Sequence, residues 1–256
     1  MKKALVVGGA NGIGLSIATE LAKRADVEKI YIVDKAPLSD EFSNEKFENY
    51  QFDLTQEDYS IFDNFQDIDT LMITAGFGRL ALFKDVDESM IPLSFNVNTI
   101  PVMRLIKRFY SKLEAQTDFY CGVMVSIAGF MSSPFFSIYA ATKSALRIFI
   151  ESVNVELLKG GSTNQILNVS PGSLKGTSFT NDKTDLSITA PMLRLSFQRW
   201  EKRMTSLYLS MKKSLRMCFR GIMMIFAKKD YIRMIINWEV KGLIFEFYER
   251  NNFRRT

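Results

Sequence analysis

The segment VVGGANGIG occupies residues 6–14, between an apolar run and a stretch with helical spacing. Lys3–Gly8 predicts a buried strand, and Ile13–Lys23 predicts the helix that follows it. Glycine allows a tight turn and close backbone approach to a pyrophosphate, and the helix start offers free N–H groups. The pattern favours a dinucleotide-binding turn over a plain strand-to-helix turn. Its expected binding residues are Gly8, Asn11, Gly12, Ile13 and Gly14.

An acidic residue stands where a bound dinucleotide would present its adenosine ribose. Lys29–Asp34 predicts a second strand, and Asp34 ends it about 20 residues after the glycine turn. A carboxylate there accepts hydrogen bonds from a ribose 2′-hydroxyl and repels a 2′-phosphate, so Asp34 favours NAD over NADP as cofactor. The adjacent Lys35 is able to weaken that preference. The alternative interpretation of Asp34 is an exposed acid at a strand end.

Short apolar runs alternate with helical stretches, which predicts successive β-α-β units. Such units form a parallel sheet with helices on both faces. We therefore expect an α/β fold with a doubly wound parallel sheet of the Rossmann type, in a single domain. Further strands are predicted at Tyr50–Leu54, Thr70–Thr74, Gly122–Ser126 and Gln165–Val169. Helices are predicted at 88–115 and Ser137–Leu158, with a short or irregular crossover at 36–48.

Composition excludes several classes of chemistry. The chain contains no histidine, which removes Ser-His-Asp and Cys-His catalysis and most catalytic zinc sites, and we expect no metal. Its two cysteines cannot build a disulfide framework and fit a reducing compartment. Glycines interrupt the N-terminal apolar run too early for a signal peptide, and no stretch reaches the roughly 18 apolar residues of a membrane span. We therefore expect a cytoplasmic protein without a membrane span.

The segment Tyr139-Ala-Ala-Thr-Lys143 places a phenol and an ammonium four residues apart. On a helix, both side chains lie on one face, about one turn apart. A free tyrosine titrates near pKa 10, and a lysine ammonium within about 4–6 Å lowers that pKa. The pair is therefore a candidate acid/base for carbonyl reduction or alcohol oxidation. An isolated pair of this spacing is more often a packed tyrosine beside a solvated lysine.

The pair is not isolated, and with its surrounding motifs the sequence resembles the short-chain dehydrogenase/reductase (SDR) family of the compact single-domain type. The resemblance covers about residues 1–180. The matching motifs are the glycine turn, Asp53-Leu54 after the third strand, Ile73-Thr74-Ala75-Gly76 after the fourth, Asn98 on a helix, Ser126 thirteen residues before Tyr139, and Pro171-Gly172 with Thr177 downstream.

The resemblance implies a role for each matching residue. Tyr139 would exchange a proton with the substrate oxygen, and Ser126 would orient that oxygen. Lys143 would hold the nicotinamide ribose and lower the pKa of Tyr139, and Asn98 would support a proton-relaying water. The nicotinamide would carry the hydride. The implied cofactor-binding residues, besides the glycine turn and Asp34, are Asp53, Leu54, Ala75, Gly76, Tyr139, Lys143, Pro171, Gly172 and Thr177.

Two positions depart from the family pattern. Val7 lacks the hydroxyl that usually ties the glycine turn to a neighbouring strand, and Ile73-Thr74 lacks the amides that usually brace the sheet. Both are supporting positions. We therefore expect a looser glycine turn, with the chemistry unaffected.

The expected function is reversible hydride transfer between a nicotinamide cofactor and a secondary alcohol or ketone. The alternative is a catalytically inactive NAD(P)-binding sensor or scaffold of the same fold. We expect a small-molecule substrate, no nucleic acid partner, and a homo-oligomer, either dimer or tetramer. Fold alone does not identify the substrate.

Residues 191–256 do not resemble the family. They hold 15 of the 33 Lys and Arg but only 5 of the 28 Asp and Glu, so the basic charge of the chain lies in this segment. We divide the chain into a catalytic domain at 1–190 and an atypical, mostly helical tail at 191–256. Three interpretations stay open: a basic amphipathic region on an anionic membrane surface, a divergent lid and oligomer surface, or a non-native tail from a frame shift near residue 193.

Overall fold

The computed structural model describes residues 1–172, 184–187 and 206–209, and these contain a parallel sheet of seven strands. The strands follow the spatial order β3-β2-β1-β4-β5-β6-β7, and each neighbouring pair is parallel. This order reverses direction at β1, as doubly wound sheets do, and confirms the predicted fold class. The strands are β1 Lys3–Val7, β2 Lys29–Asp34, β3 Phe47–Gln51, β4 Thr70–Ile73, β5 Tyr120–Met124, β6 Ile166–Pro171 and β7 Ser206–Leu209.

Helices cover both faces of the sheet and bury two separate apolar clusters. One cluster packs α1, through Ile17 and Leu21, on one face. The other packs α3 and α5, through side chains such as Leu105 and Leu146, on the opposite face. The strands are therefore buried on both sides, which explains their nearly continuous apolar sequences. The helices are α1 Gly12–Ala22, α2 Met90–Asn98, α3 Ile100–Arg108, α4 Tyr110–Glu114 and α5 Ser137–Lys159.

Two strands lie two or three residues earlier than predicted. β3 is Phe47–Gln51 rather than Tyr50–Leu54, and β5 is Tyr120–Met124 rather than Gly122–Ser126. The predictions followed apolar residues that lie beyond the strand ends. Phe52, for example, packs edge-on against Tyr59 and Phe62, at ring-centre distances of 5.2 and 5.3 Å.

The connections on both sides of β3 contain no α-helix among the described residues. Single 3₁₀ segments at Asp40–Phe42 and Ser60–Phe65 replace it. The short or irregular crossover predicted at 36–48 is therefore confirmed. The helical region predicted at 88–115 consists of α2, α3 and α4, with a break at Thr99, whose φ and ψ are −121° and −60°.

The C-terminal tail contributes a strand that was not predicted. β7 pairs in parallel with β6, so this part of the expected mostly helical tail is extended. The apolar segment Val240–Phe247, the boundary at residue 190 and the rest of the tail lie outside the described residues. Within the described ranges, no helix is long and apolar enough to cross a membrane.

Candidate active site

A cavity of about 630 Å³ opens at the carboxyl ends of the parallel strands. Its volume lies within the usual range of cofactor and small-molecule sites, and its position is where open α/β sheets bind ligands. It runs from the ends of β2 and β3, past the glycine turn, to the ends of β5 and β6. The predicted site residues that line it are Gly8, Asn11, Gly12, Ile13, Gly14, Asp34, Asp53, Leu54, Ala75, Gly76, Ser126, Tyr139, Lys143, Pro171 and Gly172.

Two predicted residues fall outside that lining. Asn98 lies behind the cavity wall and is fully buried. Thr177 lies outside the described residues. Among the residues that the structure describes, no cluster of His, Cys, Asp and Glu side chains is able to hold a metal ion.

The glycine turn is packed too tightly for side chains. Gly8 has a φ of +84°, and a Cβ added there would lie 2.5 Å from the backbone nitrogen of Ala75. A Cβ on Gly14 would overlap the carbonyl oxygen of Gly8. The turn therefore runs directly over the end of the neighbouring strand and leads into the start of α1, the geometry that a dinucleotide pyrophosphate requires.

The glycine turn is braced by Thr74, for which no bracing role was predicted from the sequence. The Thr74 hydroxyl lies 3.0 Å from the carbonyl oxygens of both Val7 and Gly8. It therefore supplies, from the residue that follows β4, the tie that Val7 cannot make without a hydroxyl. The tie that Val7 cannot make is therefore present, while the looseness of the turn stays a prediction.

Replacing Thr74 with valine removes this hydroxyl at nearly constant volume. We expect the free energy of unfolding to fall by about 1 kcal/mol, because a paired carbonyl loses its donor. We expect NADH to bind about three- to tenfold more weakly, because the turn is less well ordered. Denaturant titration and calorimetric binding measure the two effects. Thr74→Ser keeps the hydroxyl as the matched control, and equal NADH affinity in Thr74→Val and the parent protein would contradict the bracing role.

Two carboxylates lie at the β2 and β3 ends of the cavity. The Asp34 carboxylate accepts hydrogen bonds from the backbone N–H groups of Ala10, at 2.9 Å, and Ala36, at 3.0 Å. It thereby joins the end of β2 to the glycine turn. Asp53 forms a 2.8 Å ion pair with Lys35. That hydrogen-bonded cation, followed by the backbone N–H of Thr55, lowers the pKa of Asp53 to about 2.

A second contact missed by the sequence analysis lies at the start of α1. The backbone N–H of Gly12 donates a 2.9 Å hydrogen bond to the hydroxyl of Thr184. An oxygen acceptor therefore fits against this helix start, as a pyrophosphate oxygen would. The tightly packed glycines, the large cavity and this acceptor position are the features that a bound dinucleotide would require.

The catalytic pair predicted from the sequence lies on the first turns of α5. The Lys143 Nζ is 5.7 Å from the centre of the Tyr139 ring and donates a 2.9 Å hydrogen bond to the carbonyl oxygen of Met124. Burial lowers the pKa of Lys143 to about 8. The helical one-turn spacing is thus confirmed, and the amine is buried rather than solvated.

The pKa of Tyr139 differs from the expectation. Burial raises the pKa of this phenol, while its hydrogen bond with Ser126 acts in the opposite direction. The predicted lowering by Lys143 is wrong for the protein alone, because desolvation of the phenolate outweighs any stabilisation. Ser126 also accepts a 3.2 Å hydrogen bond from the backbone N–H of Ala128, which orients its hydroxyl at the end of β5.

Asn98 holds the loop after β4 against α5. Its side chain accepts a 2.9 Å hydrogen bond from the Phe77 N–H and donates 2.8 and 3.2 Å bonds to the Phe77 carbonyl and the Thr142 hydroxyl. A Cβ on Gly76 would lie 3.1 Å from the Asn98 side-chain oxygen and 3.3 Å from the Lys143 amine. Asn98 is the last residue of α2, and its hydrogen bonds hold the cavity wall in position. Its implied role in proton relay stays a prediction.

Comparison with known proteins identifies the family to which this chain is similar. The short chain dehydrogenase family profile matches residues 2–186. An uncharacterized oxidoreductase of Saccharomyces cerevisiae is 25% identical over 75% of this chain and 61% of its own length. An NADP-dependent 3-hydroxy acid dehydrogenase of Schizosaccharomyces pombe is 29% identical over 67% of this chain and 71% of its own length.

The fold has close counterparts among solved structures. An alcohol dehydrogenase from the archaeon Thermococcus sibiricus, complexed with 5-hydroxy-NADP, superposes with a TM-score of 0.69 at 21% identity, over 82% of this chain and 96% of that one. The chain spans about three fifths of the length of several curated relatives, 61% and 63% for two of them. Because the family profile covers well over half of its length, the chain belongs to the short-chain dehydrogenase/reductase family.

Proposed function

We propose that this chain is an NAD(P)(H)-dependent oxidoreductase that transfers a hydride reversibly between nicotinamide and a secondary alcohol or ketone. One observation carries the proposal: Tyr139, Ser126 and Lys143 meet at one end of the same cavity that the glycine turn lines. A phenol, a hydroxyl and an amine at the edge of a dinucleotide site suit proton exchange with a substrate oxygen.

The roles follow from the environment of each side chain. A bound nicotinamide supplies or accepts the hydride. Because its pKa is raised, the Tyr139 phenol carries its proton at neutral pH and is able to donate it to a carbonyl oxygen. The Ser126 hydroxyl is oriented to hold the same oxygen. Lys143, buried beneath the ring, is placed to contact the cofactor ribose, while Gly12 and its neighbours would receive the pyrophosphate.

Within this function we propose a preference for NAD over NADP, supported by Asp34. Its carboxylate lines the cavity, and the adjacent cation, Lys35, is paired with Asp53 rather than free. A 2′-phosphate would therefore meet an anionic strand end. Several relatives are named for NADP use, so the preference is proposed for this chain alone.

The variant Asp34→Asn tests this preference. It removes the charge while keeping a side-chain oxygen for the Ala10 or Ala36 N–H. We expect the parent protein to bind NADH about tenfold or more tighter than NADPH, and the variant to lose most of that ratio, because one charge–phosphate repulsion is removed. Calorimetric titration with both cofactors measures it. Tighter NADPH binding by the parent protein would refute the proposed preference.

The enzyme and the inactive sensor differ in turnover. We expect NADH consumption in the presence of ketones and NAD reduction in the presence of secondary alcohols, both followed at 340 nm. Cofactor binding is measured separately on the same preparation. Binding without turnover over a broad carbonyl panel would favour the sensor or scaffold, and no binding of either cofactor would refute both.

We also propose a homo-oligomer, supported by apolar side chains on the outer face of α5. Ile148, Val155 and Leu158 are 51%, 53% and 41% exposed and recur at intervals typical of one helix face. Sedimentation velocity at micromolar concentration tests this, and a monomer would contradict it. The expected cytoplasmic location stays a prediction.

A further inference from the structure

The end of the cavity beside Tyr139 is walled by apolar side chains. They come from four parts of the chain: the loop after β4, helix α2, the loop after β5, and the turn before α5. In the described part of this end, Ser126, Ser133, Tyr139 and Lys143 are the polar or ionisable side chains. The apolar lining residues are Phe77, Leu93, Val97, Ile127, Ala128 and Phe136.

One of these walls is held by an unusual turn. The Phe136 N–H donates a 3.0 Å hydrogen bond to the Ser133 carbonyl, with Pro134 second and Phe135 third in the turn. Phe135 has a φ of +67°, and a turn with a positive φ at its third position normally carries glycine or asparagine there. A bulky residue there is strained, and such strain concentrates at functional sites.

A hydrogen bond anchors the strained turn on the facing loop, and the turn places the ring of Phe136 near the Tyr139 ring. The Phe135 carbonyl accepts a 2.9 Å hydrogen bond from the Ala81 N–H, which ties the turn to the segment after β4. The Phe136 and Tyr139 ring centres are 5.9 Å apart, with their planes tilted by 59°. Phe136 is therefore placed to contact a group attached to any carbonyl that Tyr139 protonates.

Two cations, Lys143 and Arg79, lie at or beside this end of the cavity. The Lys143 amine is buried and donates to the Met124 carbonyl, so it is not displayed as a surface cation. Arg79 lines an adjoining small recess together with Asp85 and Asp87, whose carboxylates oppose an anion. A substrate carboxylate in the apolar end would therefore meet no exposed cation among the described residues that line it, so its desolvation is unfavourable.

We propose that this end of the cavity binds an uncharged aryl or extended alkyl group, so that the substrate is an apolar ketone or its secondary alcohol. This substrate class rests on the proposed function. In the reduction, the carbonyl carbon receives the hydride from NADH and the carbonyl oxygen receives the Tyr139 proton, giving the alcohol and NAD. The phenol then recovers its proton from solvent.

Three ketones test the substrate class: acetophenone, the carboxylated analogue 4-acetylbenzoate, and the small 2-butanone. We expect kcat/KM for acetophenone to exceed that for each of the others by about tenfold or more, since buried apolar area contributes roughly 25 cal/mol per Å². Binding of each ketone to the protein–NADH complex is measured by calorimetry as a readout independent of turnover, with the same ranking expected.

The variant Phe136→Ala tests the contribution of the apolar wall to substrate binding without removing Tyr139, Ser126 or Lys143. We expect it to lower kcat/KM and affinity for acetophenone about 10- to 100-fold, with less than about threefold change for 2-butanone and unchanged NADH binding. Phe83→Ala is the matched control, because Phe83 is 64% exposed and does not line the cavity.

The outcomes distinguish this inference from the function on which it rests. Ketone binding with the expected ranking but without turnover would refute the proposed function alone. Equal or tighter binding of 4-acetylbenzoate, or unchanged acetophenone affinity in Phe136→Ala, would refute the apolar substrate class even if turnover is found.

Discussion

Replacing Tyr139 with phenylalanine is expected to lower kcat about 10²- to 10⁴-fold, the usual contribution of a positioned acid or base. The variant removes the proposed proton donor, which lies beside Ser126 at the end of the cavity. The ring itself stays, so its packing and the one-turn spacing from Lys143 are kept. We therefore expect the NADH dissociation constant to stay within about twofold of the parent value, measured by calorimetry beside steady-state kinetics.

Tyr110→Phe is the matched control. Tyr110 begins α4 and does not line the cavity, although burial also raises the pKa of its phenol. Its loss should leave kcat unchanged. If Tyr139→Phe retained the parent kcat, the acid/base role would be wrong, whatever its effect on binding.

Replacing Lys143 with methionine is expected to stabilise the protein while abolishing most of its activity. Burial lowers the pKa of this amine from 10.5 to about 8. A shift of that size means that burying the charged amine costs about 3 kcal/mol of folding free energy. The methionine variant removes this cost, but it leaves the Met124 carbonyl without its donor, which costs about 1 kcal/mol. The free energy of unfolding at pH 7 should therefore rise by about 2 kcal/mol, while kcat/KM falls at least 10²-fold.

The stabilisation by Lys143→Met should depend on pH in a defined direction. Below pH 8, both the folded and the unfolded state protonate Lys143, so the burial cost is fully present. Between pH 8 and 10.5, the folded state releases the proton first, and the stability of the parent protein rises relative to the variant. Denaturant titrations across this window should show the advantage of the variant shrinking.

Lys159→Met, at the exposed end of the same helix, is the control for the change of residue type. It should change the free energy of unfolding by less than about 0.5 kcal/mol at any pH in this window. A Lys143→Met variant that is less stable than the parent protein at pH 7 would show that the buried amine stabilises the fold.

The features that could be predicted from the sequence are those whose signal is local. The glycine turn, Asp34 at the end of β2, and the one-turn spacing of Tyr139 and Lys143 each depend on residues close in sequence. Parallel strands then bring their carboxyl ends to one edge, so these local signals meet in one cavity without further information.

Contacts that join residues far apart in sequence could not be predicted. Thr74 braces Val7, Thr184 contacts Gly12, and Lys35 pairs with Asp53, and no periodicity in the chain marks any of these pairs. Strand bounds at β3 and β5 were misplaced for a related reason. Apolar residues just past a strand, such as Phe52, pack against an aromatic cluster rather than continuing the sheet.

The environment of the catalytic pair was also beyond sequence reasoning. A lysine one turn from a tyrosine suggests a lowered phenol pKa, but burial depth decides the sign. Here desolvation raises the pKa of Tyr139 and lowers that of Lys143. The positive φ of Phe135 was likewise not predicted, because glycine or asparagine is the usual residue at that turn position.

Deuterium transfer from labelled NADH shows whether the hydride of the product alcohol comes from the nicotinamide. The protein is incubated with acetophenone and NADH carrying deuterium on one face of nicotinamide C4, then with the oppositely labelled cofactor. We predict one deuterium on the carbinol carbon of the product from one labelled face only, and product formation at least 10²-fold slower with Tyr139→Phe. An alcohol product without cofactor-derived deuterium, or equal rates in the parent protein and Tyr139→Phe, would contradict the account.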